Sequence, residues 1–438
     1  MEMRLNYHVI RYLLQDRTDN KNALGLFILF VILYIAINTP YLLFMDRQAD
    51  LVAAHNPFYG VKFGLNLFNF DPAMYYGYDN VSVIHPYKNI IAGPLGALAN
   101  NGPGNVLFLI IQSALNAGGT ALLYYILRRQ RTGRAPSALI ASLFGISSYS
   151  LFTSLIPDSY PYAQFGLVIS VFCLQYYRDS KQSPIFPLAI LGIVNFGITA
   201  TNLIPYIGAL IIQQMGRRAK AAVRTLLMVL SVFILLAIVL LLIQLVLPGG
   251  VTWVSSWQSG LKNGGFGYVA PFSLAHHWKA IYMLGISPLL TPNVTLIDTG
   301  ITAIATDLSQ SYPIYVSVIG FLFLAGALTG WIRGIRKLEG WIPMMFIGFA
   351  FCLHLIVGYG LATFNYDLYL YAGHFWFAFF LLISISVRSI INPRLYKAII
   401  GLLVVVVLVT AVHNLLQHAH VLKDIRQGYV TLSEGSGR

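Results

Sequence analysis

The chain has 438 residues, 57% of them hydrophobic and only 10% charged, against roughly 25% charged in an ordinary soluble domain. A mean hydropathy of +0.70 and apolar runs that recur near the roughly 20-residue spanning length exclude soluble multidomain, disordered, collagen-like and disulfide-scaffold architectures. The net charge of +13 does not point to nucleic acid, because the basic residues sit in short clusters between apolar runs, where they encode topology.

In chain order, eleven runs predict membrane helices, at roughly 24–45, 105–126, 136–155, 161–177, 184–199, 202–215, 225–247, 312–332, 341–361, 374–387 and 398–415. The expected fold is an all-α polytopic membrane protein with residues 1–23 as a tail, 24–425 as one transmembrane domain and 426–438 as a flexible polar tail. The first run is too long for a signal-peptide core and no small-residue cleavage site follows it, so it is expected to stay as an anchor. Cys173 and Cys352 fall inside apolar runs, where a thiol behaves as a small hydrophobe. No disulfide is expected.

Twenty of the 28 basic residues fall in six clusters, from Arg4–Lys21 to Arg388–Lys397, all on one side if the runs alternate. The positive-inside rule then places the N-terminus in the cytoplasm and, with eleven spans, the C-terminus outside. Two outer segments are long, 46–104 and 248–311. Long connections that carry motifs are where function concentrates.

The first of these opens with Asp46, directly after an apolar run, with Arg47 beside it and Asp50 four residues on. A carboxylate at the membrane boundary is half desolvated, which suits a general base within reach of a lipid-anchored substrate; a plain helix-end marker has the same appearance. Phe58, Val61, Leu65 and Phe68 then recur at helical spacing and predict a short interfacial helix. Next come Asp71-Pro72, the cluster Tyr75, Tyr76, Tyr78 and Asp79, and His85-Pro86-Tyr87-Lys88-Asn89. Tyrosines interleaved with carboxylates suit a sugar ring, although an aromatic belt at the interface looks the same.

With its cytoplasmic N-terminus, about eleven spans, an acidic residue after the first span and a His-Pro before the next apolar segment, the chain resembles the GT-C superfamily of polyprenyl-phosphate-sugar-dependent glycosyltransferases. His85-Pro86 is similar to the His-Pro segment of the protein O-mannosyltransferase-like branch, but Tyr87-Lys88-Asn89 follows where that branch has Pro-Gly-Tyr-Pro. The resemblance implies Asp46 as the catalytic base. It also implies a second outer carboxylate, Asp158 in the turn Pro157-Asp158-Ser159, positioned with Asp50 to orient an acceptor or a metal.

The second long segment holds Trp253, Trp257, Trp278, Lys262, His276, His277 and Lys279. Cations among indole rings suit a lipid phosphate, or simple anchoring at the interface. Adjacent His276 and His277 lack the spacing of a shared zinc site. Asn80-Val81-Ser82 and Asn293-Val294-Thr295 match the N-glycosylation pattern. Near span ten, Asp367, three tyrosines and His374 form another polar and aromatic cluster, whereas His354 sits mid-span and is expected to be hydrogen-bonded within the bundle.

The expected function is transfer of a sugar from a polyprenyl-phosphate carrier to an extracytoplasmic glycan, lipid or protein acceptor, at the outer face of a cell (inner) membrane. Asp46 is the expected base, with Asp50 and Asp158 as acceptor-side carboxylates, His85, Lys88, His277 and Lys279 for the donor phosphate, and Tyr76, Tyr78, Asp367 and His374 for the sugar. No metal ligand set is assigned and no resident cofactor is required, though a divalent metal is compatible with the carboxylates. The partners are the lipid-linked donor, the acceptor and membrane lipids. The alternatives are an O-antigen ligase or polymerase with a lipid diphosphate donor, and a lipid or solute transporter, which would need ionisable residues near the bilayer midplane.

Overall fold

The structure, a computed structural model, describes residues 11–58, 61–102, 104–215, 217–255, 257–296, 303–362 and 367–436. Arg4, Arg438 and the stretch 363–366 beside Asp367 lie outside the described residues.

Each of the eleven apolar runs falls on helix. The first lies in α1 (Arg17–Arg47), which begins where the Asp16 side chain accepts from the backbone N–H groups of Thr18 and Asp19 at 2.8 and 3.0 Å, an N-cap. Short α2 (Ala49–Ala54) follows, then α3 (Lys88–Asn101) and α4 (Asn105–Arg129). The third run breaks at Ile146–Ser147 into α5 (Arg134–Gly145) and α6 (Ser148–Thr153). The bundle continues with α7 (Tyr160–Asp179), α8 (Ile185–Ile198), α9 (Leu203–Gln214) and α10 (Ala219–Val246). It closes with α11 (Leu274–Gly285), α12 (Ile314–Gly334), α13 (Leu338–Phe351), α14 (Trp376–Arg388) and α15 (Pro393–Ser436).

Among the described residues, six helices are long and apolar enough to cross a membrane: α1, α4, α10, α12, α13 with its π-helical extension to Ile356, and α15. Helix α10 buries only Val229 and Gln244, and a helix apolar on nearly every face is suited to a lipid surround. Helix α14, by contrast, is buried from Trp376 through Ile385. It packs on α12 at Gly330, where an added Cβ would run into the backbone carbonyl of Leu382. Small residues let helix backbones approach closely in membranes, where contact rather than water exclusion drives association.

The two ends of the bundle differ chemically. One gathers the basic clusters and pairs part of them: Asp19 lies 2.9 Å from Arg128 and 3.1 Å from Arg134, and Glu339 bridges Arg178 and Arg388. The other end carries both long connections, and these are joined to each other. Strand β1 (Asn66–Leu67) pairs in parallel with β3 (Ala303–Thr306), in register Asn66↔Ala303, and β2 (Val294–Leu296) pairs antiparallel with β3. The segments 46–104 and 248–311 therefore lie at the same end and share a sheet.

The helical membrane fold class agrees with the structure, with one addition, a small sheet whose strands of two to four residues are too short for an alternation signal. Two expectations are corrected here. The described residues of the interfacial helix expected over Phe58–Phe68 are not helical; Phe63, Leu65, Phe68 and Phe70 go to the core instead. The tail from 426 is helical to Ser436, because Tyr429 is fully buried with its hydroxyl donating to Gly64 O, and Arg426 donates to Pro40 O at 2.7 Å.

The Gly330 contact has a direct consequence. Gly330→Ala should destabilise the bundle by about 1–3 kcal/mol, the usual cost of overpacking a tight contact, read as a lower melting temperature in detergent. An unchanged melting temperature would mean that α12 and α14 do not approach so closely.

Candidate active site

Beneath the sheet and its flanking turns lies a cavity of about 710 Å³. Its polar lining comes from Asn69, Asp71, Asn80, Ser82, His85, Lys88, Asp158, Thr199 and Thr201, and its aromatic wall from Tyr160, Tyr268, Tyr359, Tyr371, His354 and His374.

The segment that delivers Asp71 has an unusual backbone. Phe68 and Asn69 are both in the left-handed region, at φ 53° and 68°, costly for a residue as bulky as Phe. The reversal sends Phe68 against Tyr369 and Phe152, with ring centroids 4.3 and 5.1 Å apart, and Phe70 against Tyr160 at 5.4 Å. Asn69 and Asp71 are left facing the cavity. Phe68 N–H donates to Ile304 O at 2.8 Å, so pairing with β3 holds the strained turn.

Asp158 arrives from the turn between α6 and α7. Gln112 donates to the carbonyls of Ile156 and Asp158 at 3.2 and 2.9 Å, and Asn38 donates to Ser154 Oγ at 2.9 Å. Asp158 Oδ1 accepts from the N–H of Ser159 and, at 3.2 Å, from its hydroxyl, while Oδ2 accepts from the N–H of Asp71 at 3.3 Å. The two carboxylates are thus neighbours. Burial raises both: Asp158 reaches about 7, with the adjacent Asp71 adding to the rise and Lys88 opposing it, and Asp71 is raised against the pull of Lys88 and the Ala73 N–H. Like charges in a desolvated site cannot both ionise readily, so the pair holds a proton near neutrality.

Lys88 and His85 come from a segment stitched across three helices. Tyr87 N–H donates to Gly197 O at 2.8 Å, Gln244 donates to Pro86 O at 2.7 Å and to Asn89 Oδ1 at 2.8 Å, and His85 Nδ1–H donates to Ile198 O at 2.7 Å. The last bond leaves His85 Nε2 as an acceptor, and burial, then the nearby Lys88 charge, hold the ring well below the usual imidazole range. Lys88 is 7% exposed, its backbone N–H donates to His85 O at 3.4 Å, and its ammonium makes no hydrogen bond or ion pair with any described residue. It also begins α3, where the helix dipole disfavours a cation. A buried ammonium in that position wants an anion.

The structure brings Asp158, His85, Lys88 and His374 of the predicted residues to one cavity. The others lie elsewhere. Asp46 and Asp50 are exposed on α1 and α2, because α1 continues to Arg47 and carries Asp46 on its surface. His277 is buried against Phe272, its Nδ1 satisfied by the Ser273 carbonyl at 2.7 Å, and Lys279 is exposed on α11. Asp367 is fully buried but accepts from the N–H groups of Thr306 and Tyr369 at 2.8 and 3.0 Å, tying β3 to the turn before α14. Tyr78 packs over Gly93 of α3, where a Cβ would strike its ring. Tyr76 does not line the cavity, yet it lies near enough that burial and then the charges of Asp71 and Asp158 raise its phenol.

Sequence reasoning noted Asp71 among the carboxylates interleaved with tyrosines, and Tyr371 among the tyrosines near His374, without giving either a role, and it missed Tyr160, Tyr359 and the two threonines of the α8–α9 turn. His354 is hydrogen-bonded within the bundle as expected, its Nδ1 to Tyr359 O at 2.7 Å, and it also lines the cavity. Asn80 lines the cavity too, with its amide donating to Ala73 O, which ill suits a glycan acceptor. The described residues contain no group of three His, Cys, Asp or Glu side chains arranged for a metal ion; the Asp71–Asp158 pair alone would supply two oxygen ligands.

A raised carboxyl binds its proton more tightly in the folded chain than in the unfolded one. Its contribution to stability is greatest below the unfolded value of 3.8 and is lost as pH climbs through about 7. Asp158→Asn removes that loss, so the variant's melting temperature should gain on the parent's between about pH 4 and about pH 8. A difference constant with pH would mean that Asp158 is ionised throughout.

Comparison with family models, curated proteins and solved structures finds no match to this chain.

Proposed function

We propose that the chain is a polytopic membrane glycosyltransferase of GT-C type, which moves a sugar from a polyprenyl-phosphate carrier to a hydroxyl acceptor at the outer face of the membrane. The observation that carries this reading is Lys88, buried without an ion pair in a cavity that also holds two adjacent carboxylates. The cavity offers both an anion site and a base.

Asp71 fits the base better than Asp46. It opens onto the cavity, whereas Asp158 is engaged by three donors. A carboxylate raised toward neutrality is matched to taking a proton at working pH. Asp71 removes the acceptor proton, the acceptor oxygen attacks the anomeric carbon, and the bond from that carbon to the carrier phosphate breaks. The electron pair leaves on the phosphate oxygen, whose charge Lys88 offsets. Asp158, whose Oδ2 accepts from the Asp71 N–H at 3.3 Å, holds the backbone that carries the base.

Eleven spans with a cytoplasmic N-terminus agree with the gathering of basic clusters at the end opposite the cavity. An apolar cleft of about 150 Å³ between α8, α9 and α10 begins at Leu203, two residues from Thr201 of the cavity, and is of a kind to accept the carrier's hydrocarbon.

Purified protein in detergent, given a labelled polyprenyl-phosphate sugar and an acceptor extract, should transfer the label without a sealed vesicle, which a transporter cannot do. Asp71→Asn should slow transfer by about 10²- to 10⁴-fold, the usual contribution of a general base, and Asp46→Asn should leave it within a few-fold. If the two variants exchanged ranks, the base would lie on the exposed end of α1.

A further inference from the structure

The charge inventory of the cavity sets a limit on the sugar it takes; this inference rests on the reading above. Lys88 is the one cation among the described residues lining the cavity, and the undescribed residues between positions 11 and 436 include no lysine or arginine. His85 adds no charge, since burial, then Lys88, holds its ring well below the usual imidazole range.

A phosphodiester brings one negative charge, which Lys88 can offset. A second phosphate, or a carboxylate on the sugar, would be desolvated beside Asp71 and Asp158 with no cation left for it.

The neutral part of the lining is equally specific. His374 lines the cavity, and neither of its ring nitrogens has a hydrogen-bond partner among the described residues; its Nδ1 is fully buried. Its ring lies 5.2 Å from that of Tyr160, which in turn lies 6.4 Å from Tyr371. Tyr359 continues the wall at 5.8 Å from Tyr371. Aromatic faces beside an unsatisfied imidazole match the C–H faces and hydroxyls of an uncharged pyranose.

We infer that the sugar on this phosphodiester carries no acid group, and that His374 reads a hydroxyl of that sugar against the tyrosine wall. An alternative sugar with a carboxylate is disfavoured by the carboxylates already present, and a diphosphate-linked donor by the single ammonium.

The test is binding to the full chain in detergent, by calorimetry, with probes matched in lipid and linkage. These are methyl citronellyl phosphate, which lacks a sugar, the citronellyl phosphodiesters of glucose, mannose and galactose, and that of glucuronic acid. At least one neutral hexose should bind about tenfold or more tightly than the methyl diester, and the glucuronyl probe about tenfold or more weakly than that hexose, the scale of one lost hydrogen bond or one uncompensated charge. His374→Gln should bring the hexose near to the methyl diester while leaving the methyl diester itself unchanged, which also certifies that the variant is folded.

A glucuronyl probe that binds as well as the hexose overturns the inference, as does a hexose preference untouched in His374→Gln. If the methyl diester binds but no hexose improves on it, the sugar assignment fails and the phosphate site stands. If no probe binds, the transferase reading falls with it.

Discussion

A buried carboxylate, Asp158, a partly buried one, Asp71, and a buried ammonium, Lys88, share one cavity in this molecule, and no ion pair joins the ammonium to either carboxylate. Removing an ion from water costs several kcal/mol even after relaxation, and a direct Lys88–carboxylate contact would recover part of that. The fold keeps the groups apart instead. Lys88 is fixed by the start of α3 and by the bonds around Tyr87 and Asn89, Asp158 by the α6–α7 turn, and Asp71 by the strained turn after β1. Each belongs to a different segment of the chain.

What opposes that cost is apolar burial around the site. Phe68, Phe70, Tyr149, Phe152, Tyr160 and Tyr369 form one stacked cluster under the strained turn. A buried aromatic side chain contributes on the order of 2–3 kcal/mol, enough collectively to hold two left-handed residues at roughly 1–3 kcal/mol each. Helix α15 adds a brace from outside. His418 bonds Asn38 at 2.9 Å, Asn38 bonds the turn that leads to Asp158, and Tyr429 bonds Gly64, two residues before β1 and the turn that carries Asp71. The C-terminal helix therefore touches the supports of both carboxylates.

The sequence was legible where the physics is local. Apolar runs such as Ala219–Val246 have no other way to be satisfied than as helix, and every such run is helical. His85, Lys88, Asp158 and His374 stood out because each is polar at the edge of an apolar run. Asp46 stood out for the same reason, but α1 runs on to Arg47, two residues beyond the expected end, and carries the Asp46 carboxylate on its surface. Asp71 gave no comparable signal. Its placement depends on β1 finding β3 across more than two hundred residues and on Phe68 adopting a conformation that no propensity favours. Asp367 shows the converse: a buried carboxylate with tyrosines around it reads as a site, yet its oxygens are used up by two backbone N–H groups.

The central claim is that Lys88 is left unpaired in order to meet a lipid phosphate beside the Asp71–Asp158 pair. The most direct measurement is a cryo-EM structure of the protein with a non-hydrolysable polyprenyl phosphonate. The account predicts the phosphonate oxygens within hydrogen-bond distance of Lys88 Nζ, with the head group inside the cavity. A phosphonate bound elsewhere, with Lys88 closed onto Asp71 or Asp158 as an ion pair, would contradict it.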